Sequence, residues 1–245
     1  LVFEEASDGA GIDVAKLCFE SDKETLSRTE NSQIAIFTHS MAALAALREN
    51  GVAFKAAAGF SLGEYTSLAA AGVVTLADGV KIVSKRGKLM QHAADTIDGG
   101  MAAILGLEDA KIEEACAAVK NGIVRPVNYN CPGQLVIAGE KAALAEAIEN
   151  CKAAGARRAL PLAVSGAFHT PLMAKAAAEL RAYVADFTFS APKMDIYSNL
   201  DGKVYDCSDL PAHLEQHMIS PVRWTQLVKN GMAAGLTSAC EIGPG

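Results

Sequence analysis

Apolar residues follow two different spacings along this chain, and the spacing changes from one segment to the next. Between residues 31 and 50 they recur every three or four positions, as on one buried face of a helix. Residues 52–58 are small and mostly apolar, as in a short strand, and a second helical pattern runs from about 75 to 95. Later in the chain the pattern predicts helices at 171–185, 208–218 and 224–234 and strands at 195–199 and 238–242. Helices that alternate with short apolar strands predict a mostly parallel sheet covered on both faces.

Residues 98–164 have an order of elements of their own. The pattern there predicts a strand at 101–106, a helix at 108–120, strands at 124–129 and 134–139, a helix at 141–154 and a strand at 158–164. The order β-α-β-β-α-β is that of the ferredoxin-like unit. We therefore predict an α/β protein with a larger core of residues 1–97 and 165–245 and an inserted ferredoxin-like subdomain of residues 98–164.

The junction after the first predicted strand reads Gly59-Phe60-Ser61-Leu62-Gly63 and leads directly into a helical stretch. Strand, Gly-x-Ser-x-Gly and helix together form a nucleophile elbow, in which glycines on both sides are expected to relieve a tight turn. The Ser61 hydroxyl would project over the sheet edge, and the Leu62 N–H at the helix start could stabilise an oxyanion. The alternative is an ordinary connection in which the serine caps the helix.

A serine nucleophile needs a base, and five histidines are available. His169 lies in a loop of small residues between the predicted subdomain and the next helix, where catalytic groups are common. It could instead be a solvated histidine at a helix start. His39 and His92 fall inside predicted helices, and His213 and His217 are four residues apart on one helix. That spacing can bind zinc, but no third ligand is apparent, so we predict no metal site.

Arg86 is the third candidate for chemistry. It is one of several basic residues on a predicted helix, so it could simply be solvated. The adjacent Gly87 costs a helix interior about 1 kcal/mol relative to alanine, which makes sense if another element packs closely there. A guanidinium close to the elbow would bind a carboxylate through two hydrogen bonds.

Composition and charge exclude several classes of protein. No apolar run is long enough for a membrane span, and a net charge of −6 without a basic cluster argues against a nucleic-acid partner. The six cysteines contain no Cys-x-x-Cys pair and are predicted to be free, mostly buried thiols in a reducing compartment. The chain starts without methionine and in mid-pattern, so both ends are expected to be cut and a missing targeting segment is uninformative.

Several motifs, in order and over the whole length, resemble the malonyl-CoA:acyl carrier protein transacylases of fatty acid synthesis and the related acyltransferase domains of polyketide synthases. The motifs are Gly59–Tyr65, Arg86-Gly87 with Met90-Gln91, Asn128–Gln134, Gly166–His169, Ser220–Trp224 and Glu241–Gly245. The resemblance implies an α/β-hydrolase-like core with an inserted ferredoxin-like subdomain.

The resemblance also implies roles for single residues. Ser61 would be the nucleophile, His169 the base without an acidic third member, and the Leu62 N–H an oxyanion donor. Arg86 would bind the malonyl carboxylate, and Phe168 matches the family variant associated with malonyl over methylmalonyl.

The implied reaction transfers malonyl from malonyl-CoA to the phosphopantetheine thiol of acyl carrier protein through a malonyl-serine. It uses no cofactor and takes place in a bacterial cytoplasm, a plastid or a mitochondrion. The chain is expected to be a monomer. Acyl carrier protein is generally acidic, so docking would need a local basic patch, for which the candidates are Lys152, Arg157, Arg158, Lys175 and Arg181.

Three features depart from the family pattern. The family usually opens with a Gly-Gln-Gly-Ser-Gln loop whose first glutamine adds an oxyanion donor; this sequence starts after that loop, and loss of one such donor costs about 10²–10³ in turnover. Phe60 replaces a frequent histidine, so that packing replaces a polar contact. His217 replaces a frequent glutamine that helps bind the substrate carboxylate or the base. Two alternatives stay open. A serine hydrolase or thioesterase would use the same Ser61 and His169, and the absent loop and Phe60 would fit a non-catalytic acyltransferase-like scaffold.

Overall fold

The computed structural model describes residues 1–164 and 166–244. Ser165, where the second segment of the predicted core begins, and Gly245, the last residue of a motif, lie outside the described residues. The strands are β1 (Ala56–Ala58), β2 (Gly99–Leu105), β3 (Val124–Cys131), β4 (Gln134–Glu140), β5 (Arg158–Pro161) and β6 (Asp195–Tyr197). The helices are α1 (Val2–Ala10), α2 (Val14–Glu20), α3 (Lys23–Ser27), α4 (Thr29–Glu49), α5 (Leu62–Ala70), α6 (Leu76–Thr96), α7 (Asp109–Ala117), α8 (Lys141–Ala153), α9 (Ala174–Val184), α10 (Leu210–Ile219) and α11 (Trp224–Ala233), with a short 3-10 helix at Pro171–Met173.

The predicted α/β fold class is confirmed, because the chain forms a parallel sheet and a separate antiparallel sheet. In the parallel sheet β1 pairs with β6, with Ala58 opposite Tyr197. Both strands therefore end at the same edge, and residues 59–61 lie beside residues 198–199. The prediction of a strand at 238–242 is wrong, because the structure has no strand there. This segment is largely exposed and pairs with neither β1 nor β6, and a strand forms only where a neighbouring backbone accepts its hydrogen bonds.

The antiparallel sheet has the order β3-β4-β2-β5 and is built entirely from residues 99–161. Helices α7 and α8 pack on one face of it, over a buried cluster that includes Ile104, Ile112, Leu135 and Ile137. A smaller cluster on the strands β2 to β4 includes Met101 and contacts Phe168. The strand predicted at 158–164 ends at residue 161. The residue boundaries of the two predicted domains stay a prediction.

The larger buried cluster lies between the helices and the parallel sheet, and the contact between α4 and α6 forms much of it. A Cβ added at Gly87 would lie 3.0 Å from the Glu30 Cα, and one added at Gly79 would lie 2.6 Å from the Phe37 ring. The close approach predicted at Gly87 is confirmed. Two glycines in α6 let α4 pack against its backbone.

Helices α1 to α3 occupy the first 27 residues, for which we predicted no element. They are short, and Asp13 and Asp22 accept hydrogen bonds from backbone N–H groups at the starts of α2 and α3. Within residues 1–164 and 166–244, no helix is long and apolar enough to cross a membrane. All six cysteines are free thiols as predicted, but "mostly buried" is wrong, because Cys131 and Cys240 are exposed and only Cys116 and Cys151 are fully buried.

Candidate active site

The predicted strand, turn and helix are present around Ser61, between the end of β1 and the start of α5. Ser61 has φ 50° and ψ −100°, a strained backbone conformation that residues other than glycine rarely adopt. A Cβ at Gly59 would lie 1.9 Å from the Gly63 carbonyl, so Gly59 is sterically required. At Gly63 an added Cβ would meet nothing within 4 Å. The predicted need for glycine on both sides of the serine is therefore confirmed at Gly59 and wrong at Gly63.

His169 meets Ser61, although 108 positions separate them in the chain. The His169 Nε2 lies 2.8 Å from the Ser61 Oγ, and its Nδ1 lies 3.0 Å from the backbone carbonyls of both His217 and Ser220. Carbonyls only accept hydrogen bonds, so Nδ1 carries the proton and Nε2 is free to accept the serine hydroxyl. Two backbone carbonyls thus orient the imidazole where many serine enzymes use a carboxylate.

His169 is neutral in this site. Burial, followed by the positive charge of Arg86, lowers the pKa of His169 to about 4. Its backbone has φ 60°, so both members of the Ser61–His169 pair sit on strained backbone. A neutral imidazole that accepts a serine hydroxyl can remove the proton as the serine attacks.

Arg86 reaches the site from α6 with a side chain that is 1% exposed. Its NH1 donates to Gln33 Oε1 at 2.6 Å and its NH2 donates to Ser61 Oγ at 3.0 Å, while the guanidinium lies over the Tyr65 ring. Desolvation lowers the pKa of Arg86. In the part of the chain that the structure describes, no carboxylate lies within ion-pair distance of this guanidinium, and its Nε has no hydrogen-bond partner.

The other predicted residues surround this pair. Leu62 is the first residue of α5, so its N–H points out of the helix start beside Ser61. Phe168 is partly buried next to His169, and its ring fills the space where a Cβ of Gly166 would lie. Phe60 is partly exposed and packs edge-on against the Trp224 ring.

His217 is buried behind His169, with ring centroids 5.6 Å apart. Its Nε2 lies 3.3 Å from Asn199 Oδ1, and burial keeps the pKa of His217 well below its usual range. His213, on the same helix, contacts Glu64 Oε1 at 2.5 Å. The His217 Nε2 lies 3.6 Å from Glu64 Oε2, so both rings face one buried carboxylate. Among the described residues, no group of three or more His, Cys, Asp or Glu side chains is arranged to bind a metal.

Sequence reasoning missed three side chains that complete the site, Gln33, Glu64 and Asn199. Gln33 lies on the buried face of α4, in line with Phe37, and a polar residue on an apolar face is a signal that was available. Asn199 follows directly after β6, at the strand end where polar groups gather in parallel sheets. Glu64 lies within the motif Gly59–Tyr65, but its place in the first turn of α5 gave no sign of its buried contacts.

Known proteins resemble this chain over its whole length. The family model of the acyl transferase domain matches residues 3–244. The malonyl CoA-acyl carrier protein transacylase of Salmonella typhimurium is 44% identical over 99% of this chain and 80% of its own length. The crystal structure of an acyl carrier protein S-malonyltransferase from Vibrio cholerae is 41% identical, covers 100% of this chain and 81% of that one, and superposes with a TM-score of 0.95. The malonyl-transacylase of a solved complex with its type II polyketide synthase acyl-carrier protein is 41% identical, with 100% of this chain and 80% of that chain covered and a TM-score of 0.96.

This molecule is an α/β protein in which a strained turn between a strand and a helix presents a serine to a buried histidine. Within that class, the chain belongs to the acyl transferase domain family.

Proposed function

We propose that this chain transfers the malonyl group of malonyl-CoA to the phosphopantetheine thiol of acyl carrier protein through a malonyl ester on Ser61. One observation carries the proposal: the buried Arg86 guanidinium lies 3.0 Å from a serine that is hydrogen-bonded to a neutral histidine. A buried cation without an acidic partner favours an anionic ligand, and a malonyl thioester has a carboxylate two bonds from its reacting carbonyl. The Salmonella typhimurium and Vibrio cholerae relatives are named as a malonyl CoA-acyl carrier protein transacylase and an acyl carrier protein S-malonyltransferase.

In the first half-reaction, the Ser61 Oγ attacks the thioester carbonyl while His169 Nε2 takes the hydroxyl proton. The Leu62 N–H stabilises the oxyanion of the tetrahedral intermediate. The C–S bond then breaks, and His169 returns the proton to the leaving coenzyme A thiolate. After this half-reaction Ser61 carries a malonyl ester and His169 is neutral again.

In the second half-reaction, the phosphopantetheine thiol replaces coenzyme A. His169 takes the thiol proton, the thiolate attacks the ester, and the proton returns to Ser61 as the acyl group leaves. Arg86 binds the malonyl carboxylate throughout, and the ring of Phe168 restricts the space beside the α-carbon. The side chain of His217 completes the wall behind His169.

Intact-mass measurement tests this function. Incubation with malonyl-CoA should add one malonyl group to the protein, and the adduct should be absent in Ser61→Ala. Addition of the carrier should then move the group to the carrier thiol. Release of free malonate in place of transfer would support a hydrolase, and no adduct at all would support a non-catalytic scaffold.

For the carrier, we propose a docking surface along β5 and the residues that follow it. Arg157 and Arg158 are exposed at the start of β5, without an acidic partner in the described part of the chain. Farther along, Leu160, Leu162 and Val164 are also exposed. The chain then leads within five residues to His169. An acidic carrier would meet positive charge beside an apolar surface close to the acyl group.

Of the other basic candidates, only Lys175 is exposed and without an acidic partner in residues 1–164 and 166–244. Lys152 pairs with Glu149 and Arg181 pairs with Glu215, both at 2.8 Å. We expect Arg157→Glu with Arg158→Glu to raise the KM for the carrier about tenfold and to leave the KM for malonyl-CoA unchanged. Lys152→Glu is the matched control, and an equal effect of both changes would contradict this docking surface.

We place this reaction in the cytoplasm of a bacterium. The relatives named with an organism come from bacteria.

A further inference from the structure

The Asn199 side chain bridges both sides of the nucleophile elbow. Its Oδ1 accepts a hydrogen bond from the Ser61 N–H at 2.7 Å, and its Nδ2 donates to the Gly59 carbonyl at 2.7 Å. The pairing of β1 with β6 brings the two segments together, since Ala58 lies opposite Tyr197. Asn199 is 1% exposed, so water does not compete for these bonds.

These two bonds act where the backbone is strained. Ser61 has φ 50°, and a residue other than glycine stays in that region only when its surroundings determine the conformation. The Ser61 N–H lies before the first turn of α5 and the Gly59 carbonyl lies after the end of β1, so neither helix nor sheet satisfies them. The amide of Asn199 satisfies both groups at once and thereby fixes the peptide planes around the serine.

Glu64 in turn holds Asn199 in place. Its fully buried carboxylate accepts the Asn199 N–H at Oε2, at 2.7 Å, and the hydroxyl of Tyr205 at Oε1, at 3.2 Å. His213 Nε2 approaches the same Oε1, and the His213 ring stacks on the Tyr205 ring with centroids 4.2 Å apart. Asn199 thus sits between the elbow and a buried polar cluster, and every polar group of Asn199 itself has a hydrogen-bond partner.

We propose that Asn199 is a positioning residue for acyl transfer: its amide clamps the elbow so that Ser61 Oγ meets His169 Nε2, and Glu64 fixes the clamp. Asn199 acts through Ser61 and needs no contact with substrate. This inference rests on the proposed function for its biological meaning, but its physical content concerns the reactivity of Ser61 alone.

The test is the rate at which phenylmethanesulfonyl fluoride labels Ser61, followed by intact mass. In this reaction the Ser61 Oγ forms a bond to sulfur, fluoride leaves, and His169 takes the proton. We expect Asn199→Ala to slow labelling about a hundredfold, since a displacement of about 1 Å costs that much in reactive geometry. For malonyl transfer, kcat should fall by a similar factor and the KM for malonyl-CoA should change less than about threefold.

A positioning role also predicts an unchanged pH profile. The carbonyls of His217 and Ser220 hold His169, so the midpoint of labelling against pH should stay where it is in the parent protein. Asn150→Ala is the matched control. Asn150 also donates its Nδ2 to a backbone carbonyl, that of Ala115, but it lies in the antiparallel-sheet layer.

Labelling of Asn199→Ala within about threefold of the parent, or equal slowing in Asn150→Ala, would overturn the proposal. If Asn199→Ala does not fold, as judged by circular dichroism, Glu64→Gln replaces it; it keeps the size of the side chain, and labelling should slow about tenfold. Unchanged labelling in Glu64→Gln then overturns the proposal. The reagent carries no malonyl group, so a parent protein that is labelled but transfers no malonyl contradicts only the proposed function.

Discussion

At the scale of single residues, the charge of Arg86 affects both partners of the Ser61–His169 pair. It donates a hydrogen bond to the Ser61 Oγ, and it contributes to the low pKa of His169. A carboxylate bound to the guanidinium would offset part of this charge. A carboxylate ligand on Arg86 would therefore also make His169 a stronger base, which would link recognition to reactivity.

Replacement of Arg86 tests the first part of this argument. A hydrogen bond to a charged group contributes about 1.5–3 kcal/mol, so Arg86→Ala should slow malonyl transfer to Ser61 about ten- to a hundredfold. Single-turnover kinetics with malonyl-CoA measures this rate. Lys88→Ala is the control, because Lys88 is an exposed basic residue on the same helix. An unchanged rate in Arg86→Ala would remove Arg86 from the proposed role.

The two buried histidines predict how stability depends on pH. The pKa of His169 falls from 6.5 in the unfolded chain to about 4 in the fold, and that of His217 shifts in the same direction. The unfolded chain therefore binds more protons between these values, and the free energy of unfolding should fall as the pH drops from about 6.5 towards 4. For His169 alone the loss is on the order of 3 kcal/mol.

Urea unfolding at several pH values measures this dependence. His169→Gln removes one of the two imidazoles, so its unfolding free energy should depend less steeply on pH over the same range. Equal slopes for the two proteins would show that other groups cause the acid sensitivity.

At the scale of elements, the contact between α4 and α6 positions two side chains of the site. Gln33 on α4 accepts a hydrogen bond from Arg86 on α6, and this bond requires the two helices to lie close together. Gly79 and Gly87 permit that approach, since an added Cβ would meet the other helix at 2.6 and 3.0 Å. The glycine beside Arg86 is thus a packing requirement.

We expect Gly87→Ala to lower the free energy of unfolding by about 1–2 kcal/mol. Overpacking typically costs about 1–3 kcal/mol, and the gain in helix propensity of about 1 kcal/mol offsets only part of it, because the contacts of the new Cβ are backbone atoms. Denaturant unfolding measures the change. Gly231→Ala in α11 is the control, since its Cβ would meet only the end of the Leu236 side chain, at 3.3 Å. Stabilisation in Gly87→Ala would contradict the packing argument.

At the scale of the whole molecule, the chain has two main buried clusters on two sheets. Ser61, His169 and Arg86 all lie outside residues 98–164, while the cluster around Ile112 lies inside this range. The smaller cluster on β2 to β4 contacts Phe168 and joins the antiparallel sheet to the site. Damage to the distant cluster should therefore affect stability more than chemistry.

Ile112→Ala tests this separation. The substitution should lower the free energy of unfolding by about 2–5 kcal/mol, because Ile112 is fully buried in the antiparallel-sheet layer. Labelling of Ser61 in the folded fraction should stay within about twofold of the parent. Loss of labelling in folded protein would show that the two parts are more tightly coupled than their separate clusters indicate.

The sequence predicted most of what depends on local pattern. Helical spacing placed α4, α6, α10 and α11 to within a few residues, because burial of one helix face imposes its period on neighbouring positions. Three local features were also predicted, because each depends on residue types at neighbouring positions. They are the turn around Ser61, the loop of His169 and the glycine at position 87. The strand predicted at 238–242 was wrong, because an apolar segment does not carry information about a pairing partner.

Contacts between residues far apart in the chain could not be predicted from the sequence. Ser61 and Asn199 are 138 positions apart, and Arg86 and Gln33 are 53 apart, yet each pair shares a hydrogen bond. The partners of His169 Nδ1 are backbone carbonyls, which every residue has and no residue type reveals. Local spacing encodes most of the helices and strands and the candidate reactive side chains, so these could be predicted from the sequence. The packing of strands and helices decided their orientation, because it alone brings together groups that the chain keeps far apart.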